Sequence, residues 1–335
     1  MWAYLARRAA GLVAVLFGMS LVTFAISHVI PADPAAAAAG LNAGQEQIEQ
    51  IRREMGLDRP LVEQYLRYVT GILLRGDFGQ SIMNQRPVLQ DILTFLPASV
   101  ELALVSLILC VPLGILLGTF TAVRAGRASD ALTRLLAILG ISMPVFLVAL
   151  LLQLFLYKYL RWFPPGGRIA FAVGPPESIT GLYLVDSALT GNWAAFWSAL
   201  HHLGLPAITL AIANLAVITR MTRSAVLEIL AQDYVRTARA KGLREPVVLV
   251  RHALKNALVP VVTVLGLQLA SLIAYVFLVE VIFSWPGIGS YAVRAILGLD
   301  FQAIMGITLL FSTIYVVVNF LVDLTYLWLD PRISY

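Results

Sequence analysis

Six long apolar runs, separated by polar segments, constrain this chain more than any other feature of its sequence. They cover 9–30, 98–123, 132–157, 203–220, 258–283 and 304–329. Each is about 20 residues long, the length a helix needs to cross the hydrocarbon core of a bilayer. Hydrophobic residues make up 59% of the chain and charged residues 13%, against roughly a quarter charged in soluble domains. The sequence therefore predicts an all-α integral membrane protein with six transmembrane helices.

The first run follows a short head that carries Arg7 and Arg8. A basic head and an apolar run also occur in signal peptides. The run is too long for a signal sequence, however, and lacks a convincing small-residue cleavage site. We therefore expect a retained first helix with its N-terminus inside.

Charges in the loops set the expected topology. The loop at 221–257 holds seven Lys or Arg residues and three acids, whereas the outward segments are balanced or acidic. Cations collect in cytoplasmic loops, so the loops at 124–131 and 221–257 and both termini are predicted to be cytoplasmic. The net charge of +5 then reflects topology, and no nucleic-acid partner is expected.

Three segments follow from this topology. Residues 1–30 form a cytoplasmic head and the first helix, 31–97 a periplasmic helical segment, and 98–335 a five-helix transmembrane domain with the loop at 221–257. Within 31–97 two sets of residues recur at helical spacing and predict two amphipathic helices. The sets are Ile48, Ile51 and Met55, then Leu61, Tyr65, Tyr68 and Ile72.

A polar run within the loop at 221–257 is the strongest candidate site. It reads Tyr234-Val-Arg-Thr-Ala-Arg-Ala-Lys-Gly242-Leu and continues to Leu258-Val-Pro260. Its alanines let another surface approach closely, and Gly242 can end a short helix. On composition alone it could be no more than a basic cytoplasmic loop.

This run resembles the coupling-loop motif of binding-protein-dependent ABC importer permeases, which has the form Glu-Ala-Ala, three residues, Gly, and a later Leu-Pro. Arg236, Thr237 and Ala238 occupy the Glu-Ala-Ala places, and Pro260 lies beyond the general spacing. In both departures from the general motif, the run resembles the peptide-importer branch of the family. The resemblance covers nearly the whole chain and implies a type I ABC importer permease fold with a periplasmic insertion after the first helix.

The resemblance also implies partners and a site. It implies a bacterial inner-membrane permease subunit that works with a homologous second permease, two ATPase subunits, a solute-binding protein and the lipid bilayer. The residues implied to couple to the ATPase are Tyr234, Arg236, Thr237, Ala238, Arg239, Ala240, Lys241 and Gly242. ATP and Mg would be held by the ATPases, with no cofactor in this chain. Di- or oligopeptides are the implied substrates, and nickel or glutathione importers share most of the pattern.

Acidic residues in the apolar runs form the second set of candidates. Glu101 could line a passage or simply mark a membrane boundary. Glu280 begins a turn that is similar to the family's periplasmic turn and implies a gate or docking surface made of Glu280, Phe283, Ser284, Trp285, Pro286 and Gly287. Asp323 and the tail Asp330-Pro331-Arg332 favour salt bridges near the inner face.

Other chemistry is not indicated. His201 and His202 are adjacent and would point about 100° apart on a helix, so a metal site is not expected there. The sequence holds no phosphate-binding Gly-x4-Gly-Lys motif and no protease or hydrolase motif, which predicts a transport subunit without its own ATPase site. A self-sufficient secondary transporter would need inverted repeats and midplane acids, and an intramembrane enzyme would need a catalytic constellation; neither is evident.

Overall fold

The computed structural model describes residues 2–29, 34–40, 43–54 and 56–329, and regular structure within them is helical. In chain order, the described helices begin with α1 Trp2–Val29, α2 Pro34–Ala39, α3 Gln45–Glu54, α4 Leu61–Arg75, α5 Val88–Val123, α6 Ala128–Ser142, α7 Val145–Leu152 and α8 Tyr183–Leu189. They are followed by α9 Trp193–Leu230, α10 Asp233–Ala240, α11 Glu245–Val247, α12 Lys255–Ile282, α13 Ile288–Leu297 and α14 Phe301–Leu329. Two π-helical segments, Gln153–Tyr159 and Val248–Leu254, extend α7 and precede α12.

The prediction of an all-α membrane protein is confirmed. Five of the described helices are long and apolar enough to cross a membrane, and α6 with α7 makes a sixth span if that bent pair is counted as one. The expected continuous helix over 132–157 is wrong, because the pair bends by 108°. Pro144 disfavours helical geometry in the residue before it, and Met143 is accordingly extended, with φ −85° and ψ 127°.

Other helix bounds also differ from those expected. Helix α5 begins at Val88, ten residues before the predicted position of 98, and α9 extends beyond 203–220 at both ends. Helix α12 begins at Lys255 and carries Pro260 in its interior, although we expected Pro260 to lie at the start of the span. Transmembrane helices tolerate such a proline because neighbouring groups satisfy the freed carbonyl.

One compact unit comprises the described residues up to Ser99 and Pro286–Val317. In it, α4 lies against α1: Tyr65 and Tyr68 pack on Phe24 with ring centroids 5.3 and 6.2 Å apart, and Ser20 shares a 2.8 Å hydrogen bond with Tyr65. The two amphipathic helices predicted within 31–97 correspond to α3 and α4, and Met55, predicted for the first of them, lies outside the described residues.

Two buried carboxylates fix the remainder of this unit. Asp91 accepts from Tyr291 Oη at 2.9 Å and from Asn84 Nδ2 at 2.7 Å. Asp300 accepts from Ser81 Oγ at 2.6 Å and from the Met83 amide at 3.2 Å. These bonds tie the first turn of α5 to α13, and the segment before α5 to the residue that precedes α14.

The other compact unit comprises Val100–Trp285 and the described residues from Val318 onward. Its centre is α9, which packs on α5, α6, α8 and α12. A Cβ added to Gly114 or Gly118 of α5 would lie 2.6 Å from Ile218 or 2.5 Å from Thr222 of α9. Small residues at helix crossings let backbones approach closely in membranes, so α5 and α9 form a tight pair. The three segments predicted from topology are a different division and stay a prediction.

Candidate functional site

The predicted coupling run forms a separate short helix, α10, directly after α9. Its Val235 and Ala238 are buried and pack with Val248 of the π-helical segment, and Ile229 and Leu230 at the end of α9 complete the cluster. The helix therefore rests on the elements that lead into it and out of it. Helix α10 thus contacts both the end of α9 and the segment before α12.

The opposite face of α10 is exposed. At about 100° per residue, Arg236, Thr237 and Ala240 point away from the Val235 and Ala238 stripe, and all three are exposed. The Arg236 guanidinium lies 3.4 Å from the Asp233 carboxylate within the same helix. This face offers one small side chain, one hydroxyl and one cation to a partner.

The expectation for Ala238 is corrected by this geometry. We expected Ala238 and Ala240 together to admit a partner surface, but Ala238 is 6% exposed and faces the loop itself. Ala240 keeps the expected exposure. The difference arises because the two positions lie on opposite sides of one short amphipathic helix.

The end of α10 is closed by a turn and an ion pair. Lys241 caps the helix, and Gly242 has φ +76° with nothing within 4 Å of an added Cβ. Arg239 donates to both oxygens of Glu245, at 3.1 and 2.6 Å. These bonds from Arg239 hold the pKa of the Glu245 carboxyl below its usual value.

Tyr234 connects the start of α10 to the π-helical segment. Its hydroxyl donates to the His252 carbonyl at 3.3 Å and accepts from Asn256 Nδ2 at 2.9 Å. Tyr234 and Arg239 thus bond to residues beyond α10, whereas Arg236 and Thr237 bond to Asp233 within it.

A second polar centre involves Glu101, the acid predicted to line a passage. Arg168 donates to Glu101 Oε2 from Nε at 3.1 Å and from Nη2 at 2.7 Å, and the amide of Leu184 donates to Oε1 at 2.7 Å. Glu101 and Arg168 are only 4% and 7% exposed. Whether Glu101 lines a passage stays untested, and in this chain its carboxylate anchors the segment at 158–202.

The Arg168 side chain is held from several directions. Its Nη2 also donates to the Gly181 carbonyl at 2.6 Å, and its guanidinium carbon lies 3.6 Å from the ring centroid of Tyr183. A guanidinium over an aromatic face is attracted by the ring quadrupole. We call Glu101, Arg168, Tyr183 and Trp285 the outer network, because the ring centroid of Trp285 is also within 5.9 Å of Arg168.

Asp186 organises the loop next to this network. Its buried carboxylate accepts from the Thr180 hydroxyl at 2.6 Å and from the amides of Ile179, Thr180 and Gly181 at 3.2, 2.8 and 2.9 Å. Burial alone would raise the pKa of Asp186, but these hydrogen bonds outweigh it and the pKa is lowered. The charged carboxylate therefore holds this loop in shape.

The turn predicted as a gate or docking surface is mostly inside the protein. Glu280, Phe283 and Trp285 are at most 1% exposed, and Gly287 is buried as well. A Cβ on Gly166 would lie 2.1 Å from the Phe283 carbonyl, and the Gly167 amide donates to that carbonyl at 2.9 Å. The expectation of exposed aromatic residues at this turn is wrong, because the segment at 158–202 covers them; Ser284 and Pro286 are the exposed members.

The remaining predicted residues have ordinary surroundings or cannot be placed. His201 Nε2 lies 2.6 Å from the Trp162 carbonyl and His202 Nδ1 lies 2.8 Å from the Ser198 carbonyl. Among the described residues no three His, Cys, Asp or Glu side chains cluster as metal ligands. Asp323 lies in α14, and its predicted salt bridge and the tail at 330–332 lie outside what the structure describes.

Sequence reasoning missed Arg168 and Asp186. One signal pointed to Arg168: a buried acid such as Glu101 needs a cation, and the adjacent outward segment offers only Lys158, Arg161 and Arg168. The separation of 67 residues between Glu101 and Arg168 hides the pairing from any local pattern. For Asp186, the preceding Ser-Ile-Thr-Gly suggests a turn but does not identify its acceptor.

Together these features define a multi-pass membrane protein that carries a short basic helix, buried on one face and exposed on the other, on the loop between two of its spans. The profile of the family described as binding-protein-dependent transport system inner membrane component matches residues 114–335. The profile of the N-terminal part of the membrane component of such binding-protein-dependent transport systems matches residues 1–103. The chain belongs to this family and is a membrane permease component of an ABC transport system.

Full-length relatives agree with that assignment. The chain is 47% identical over 333 residues to the probable D,D-dipeptide transport system permease protein DdpB of Escherichia coli (strain K12), covering 99% of this chain and 98% of that protein. It is 41% identical over 335 residues to the dipeptide transport system permease protein DppB of Alkalihalophilus pseudofirmus, covering all of both chains. It is 40% identical to DppB of E. coli (strain K12), covering 99% and 98%.

Proposed function

We propose that this chain forms half of the translocation path of an ABC importer for di- or oligopeptides in the bacterial inner membrane. The three relatives described above are named as dipeptide or, in one case, probable D,D-dipeptide permeases, and the match covers 98–100% of their length, which supports a peptide substrate over nickel or glutathione. The loop at 221–257 and both termini face the cytoplasm, in keeping with the excess of cations in that loop.

The two-faced helix α10 is the observation that carries the mechanism. Its buried stripe couples it to α9 and to the segment before α12, and its exposed face remains for a groove on a separate ATPase subunit. Arg236 offers a cation to acids there, and Ala240 permits close approach. When ATP and Mg draw the two ATPases together, α10 moves with its groove and shifts the ends of both spans.

The second half of the path comes from a homologous permease. Of the six spans, we take the first, α1, to be peripheral. About five spans then remain to surround a passage. Five helices cannot enclose a route for a peptide and also present a continuous face to lipid. We therefore expect no peptide transport by this chain in nanodiscs or liposomes until the second permease, the ATPases and the binding protein are added.

The outward residues 31–97 are the proposed docking surface for the solute-binding protein, and the turn at Ser284 is proposed separately as part of the gate. Helix α4 exposes five large aliphatic side chains, Leu61, Val62, Leu66, Leu73 and Leu74. Exposed apolar patches of this kind mark contact with a partner or with lipid. Crosslinkers placed along α3 and α4 should capture the binding protein, and failure at every position would exclude docking there.

The decisive experiment for coupling compares two exposed positions of the same loop. Ala240→Trp places a bulky ring on the outward face of α10, and Val250→Trp places the same ring on the π-helical segment, where Val250 is 62% exposed. Neither overpacks the loop. We expect Ala240→Trp to assemble with the second permease but to lose ATPase association and dipeptide-stimulated ATP hydrolysis, with Val250→Trp unchanged.

Substrate class is tested in the same assembly. Dipeptide with its binding protein should stimulate ATP hydrolysis, whereas nickel ions and glutathione should not. Stimulation by nickel or glutathione alone would replace the peptide assignment and leave the coupling proposal intact. Normal ATPase binding by Ala240→Trp would instead show that α10 is not the coupling element.

A further inference from the structure

A cavity of about 160 Å³ lies between α5, α6 and α9 and is not used by the proposed coupling. Three arginines, Arg134, Arg220 and Arg223, and four hydroxyl residues line one part of it, and three aliphatic residues of α6 line the rest. None of its ten lining residues is acidic. A single buried water needs about 10–15 Å³ by this measure, so there is room for a larger group.

The arginines are not all engaged with protein carboxylates. Arg223 donates to both oxygens of Asp130, at 2.7 and 2.9 Å, which uses two of the five N–H donors of its guanidinium. Arg134 lies 3.7 Å from the same carboxylate. Arg220 is exposed and makes no ion pair with any residue the structure describes. One acid thus faces three cations, which leaves an excess of positive charge at the cavity.

The depth of the cavity follows from the length of α9. Trp193 and Trp197, near its start, are 59% and 63% exposed, and exposed tryptophans mark the headgroup level of a membrane. Arg220 lies 23 residues after Trp197, or about 35 Å along a helix. The hydrocarbon core is about 30 Å thick, so Arg220 and Arg223 fall at the opposite headgroup level, on the side of α10.

An aliphatic surface adjoins the basic part of the cavity. Beyond Arg134, helix α6 exposes Leu135, Leu136, Ile138, Leu139 and Ile141, each more than 40% accessible. Ile138 and Ile141 also line the cavity itself. The charged end and the aliphatic end of the cavity follow each other in the same order as the two parts of a phospholipid, whose headgroup lies at the interface and whose acyl chains extend toward the membrane centre.

We propose that this cavity binds the phosphate of an anionic phospholipid from the leaflet on the side of α10. Arg220 and the unused donors of Arg223 would hold the phosphate oxygens, because guanidinium groups match phosphate in charge and in bidentate geometry. Thr219 and Ser224 add hydroxyl donors, and the acyl chains lie along α6. Basic pockets between spans at this level suit such headgroups.

The test uses the full transporter complex, purified in detergent and titrated by native mass spectrometry with phosphatidylglycerol or phosphatidylcholine. We expect phosphatidylglycerol to bind preferentially and Arg220→Gln to weaken it about tenfold. Arg220→Lys, which keeps the charge, should lose less. Arg251→Gln removes an exposed cation from the same side of the protein but outside the cavity, and should bind as the unmodified protein does.

Four outcomes would overturn the proposal. They are equal binding of phosphatidylcholine, unchanged binding by Arg220→Gln, full displacement of the lipid by millimolar inorganic phosphate, and binding to the isolated chain but not to the complex. The third would assign the cavity to a soluble anion and the fourth to the interface with the second permease. If Arg220→Gln does not assemble, Ser224→Ala at an exposed position replaces it, with an expected loss of about twofold to fivefold.

Discussion

Two ion pairs in the same compact unit are built in opposite ways. Arg239 and Glu245, at the end of α10, have side chains that are 41% and 55% exposed, whereas Arg168 and Glu101 in the outer network are 7% and 4% exposed. Both arginines reach their acids at hydrogen-bonding distance. The side chains of the first pair can exchange each other for water or for another protein at little cost in free energy. The buried side chains of the second pair cannot.

The difference matches what each region has to do. The helix that we propose to bind and release a separate subunit needs charges that remain hydrated, and exposed pairs contribute about 0–1 kcal/mol. The outer network holds the segment at 158–202 over the buried turn at Phe283 and Trp285. A buried pair stripped of one partner leaves an uncompensated charge, which costs about 3–5 kcal/mol. The exposed pair in the loop at 221–257, here called the inner loop, suits the exchange of binding partners, and the buried pair of the outer network suits a fixed geometry.

Removing Arg168 should therefore have the largest effect of any single change considered. Arg168→Met would leave the Glu101 carboxylate buried without its cation and would remove the contact with Tyr183. We expect a loss of about 3–5 kcal/mol in the free energy of unfolding, measured as a fall in the thermal stability of the purified chain in detergent.

A double variant separates charge from packing. Replacing both partners, with Glu101→Gln and Arg168→Met, should recover a large part of the loss, because no unpaired charge remains. Lys158→Ala removes an exposed cation from the same segment and serves as the control, with little expected change. If Arg168→Met were as stable as Lys158→Ala, the conclusion that the buried pair contributes more to stability than the exposed pair would be wrong.

The next largest effect concerns the buried stripe of α10. Ala238→Trp would force a large ring into the cluster of Val235 and Val248, and overpacking of this kind costs about 1–3 kcal/mol. Limited proteolysis of the loop at 221–257 should accelerate in this variant and stay unchanged in Ala240→Trp. Equal protease resistance of the two variants would mean that the faces of α10 are not distinct.

The two regions also differ in how far the sequence could predict them. The α10 site is continuous: its stop at Gly242, its basic residues and its motif lie within ten positions, so the resemblance of this one run was enough to predict it. The outer network joins Glu101, Arg168 and Trp285, which are far apart in the chain. Its geometry depends on helix packing, which no local pattern records.

The fold, too, could be predicted only in part from local sequence patterns. Apolar length predicted the spans, because the bilayer sets that length. The 108° break between α6 and α7 was not predicted, although Pro144 marked its place. The burial of Phe283 and Trp285 was missed for a different reason: a Pro/Gly turn with aromatic residues reads as an exposed loop until the segment that covers it is known.

A smaller effect is expected at Asp186, where pH provides the test. The pKa of this carboxyl is lowered in the folded protein because hydrogen bonds from Thr180 and nearby amides outweigh the effect of burial. A lowered pKa contributes stability above the unfolded value of about 3.9, and that contribution is lost as pH falls through the folded value. We expect hydrogen-exchange protection of the amides at 179–181 to fall in acid below about pH 4.

Asp186→Asn should remove that dependence. At neutral pH the variant should lose about 1–2 kcal/mol of local stability, since the amide oxygen is a weaker acceptor for the three backbone N–H groups. At acid pH it should match the unmodified chain. A protection profile with the same pH dependence in both proteins would place the titrating group elsewhere.

The smallest effect is expected for Glu245→Gln, which completes the contrast with Arg168. The pKa of Glu245 is lowered mainly by its hydrogen bonds to Arg239, so its contribution is present at neutral pH and is lost as pH falls through the folded value. Because both side chains are about half exposed, water and salt screen the pair, and the change should stay below about 1 kcal/mol. Thermal stability of the variant should match the unmodified chain at 0.5 M salt and differ slightly at low salt. A loss as large as that of Arg168→Met, unaffected by salt, would show that the inner pair is as rigid as the outer one. The inner loop would then have to move as one body with α9, without the local exchange proposed for it.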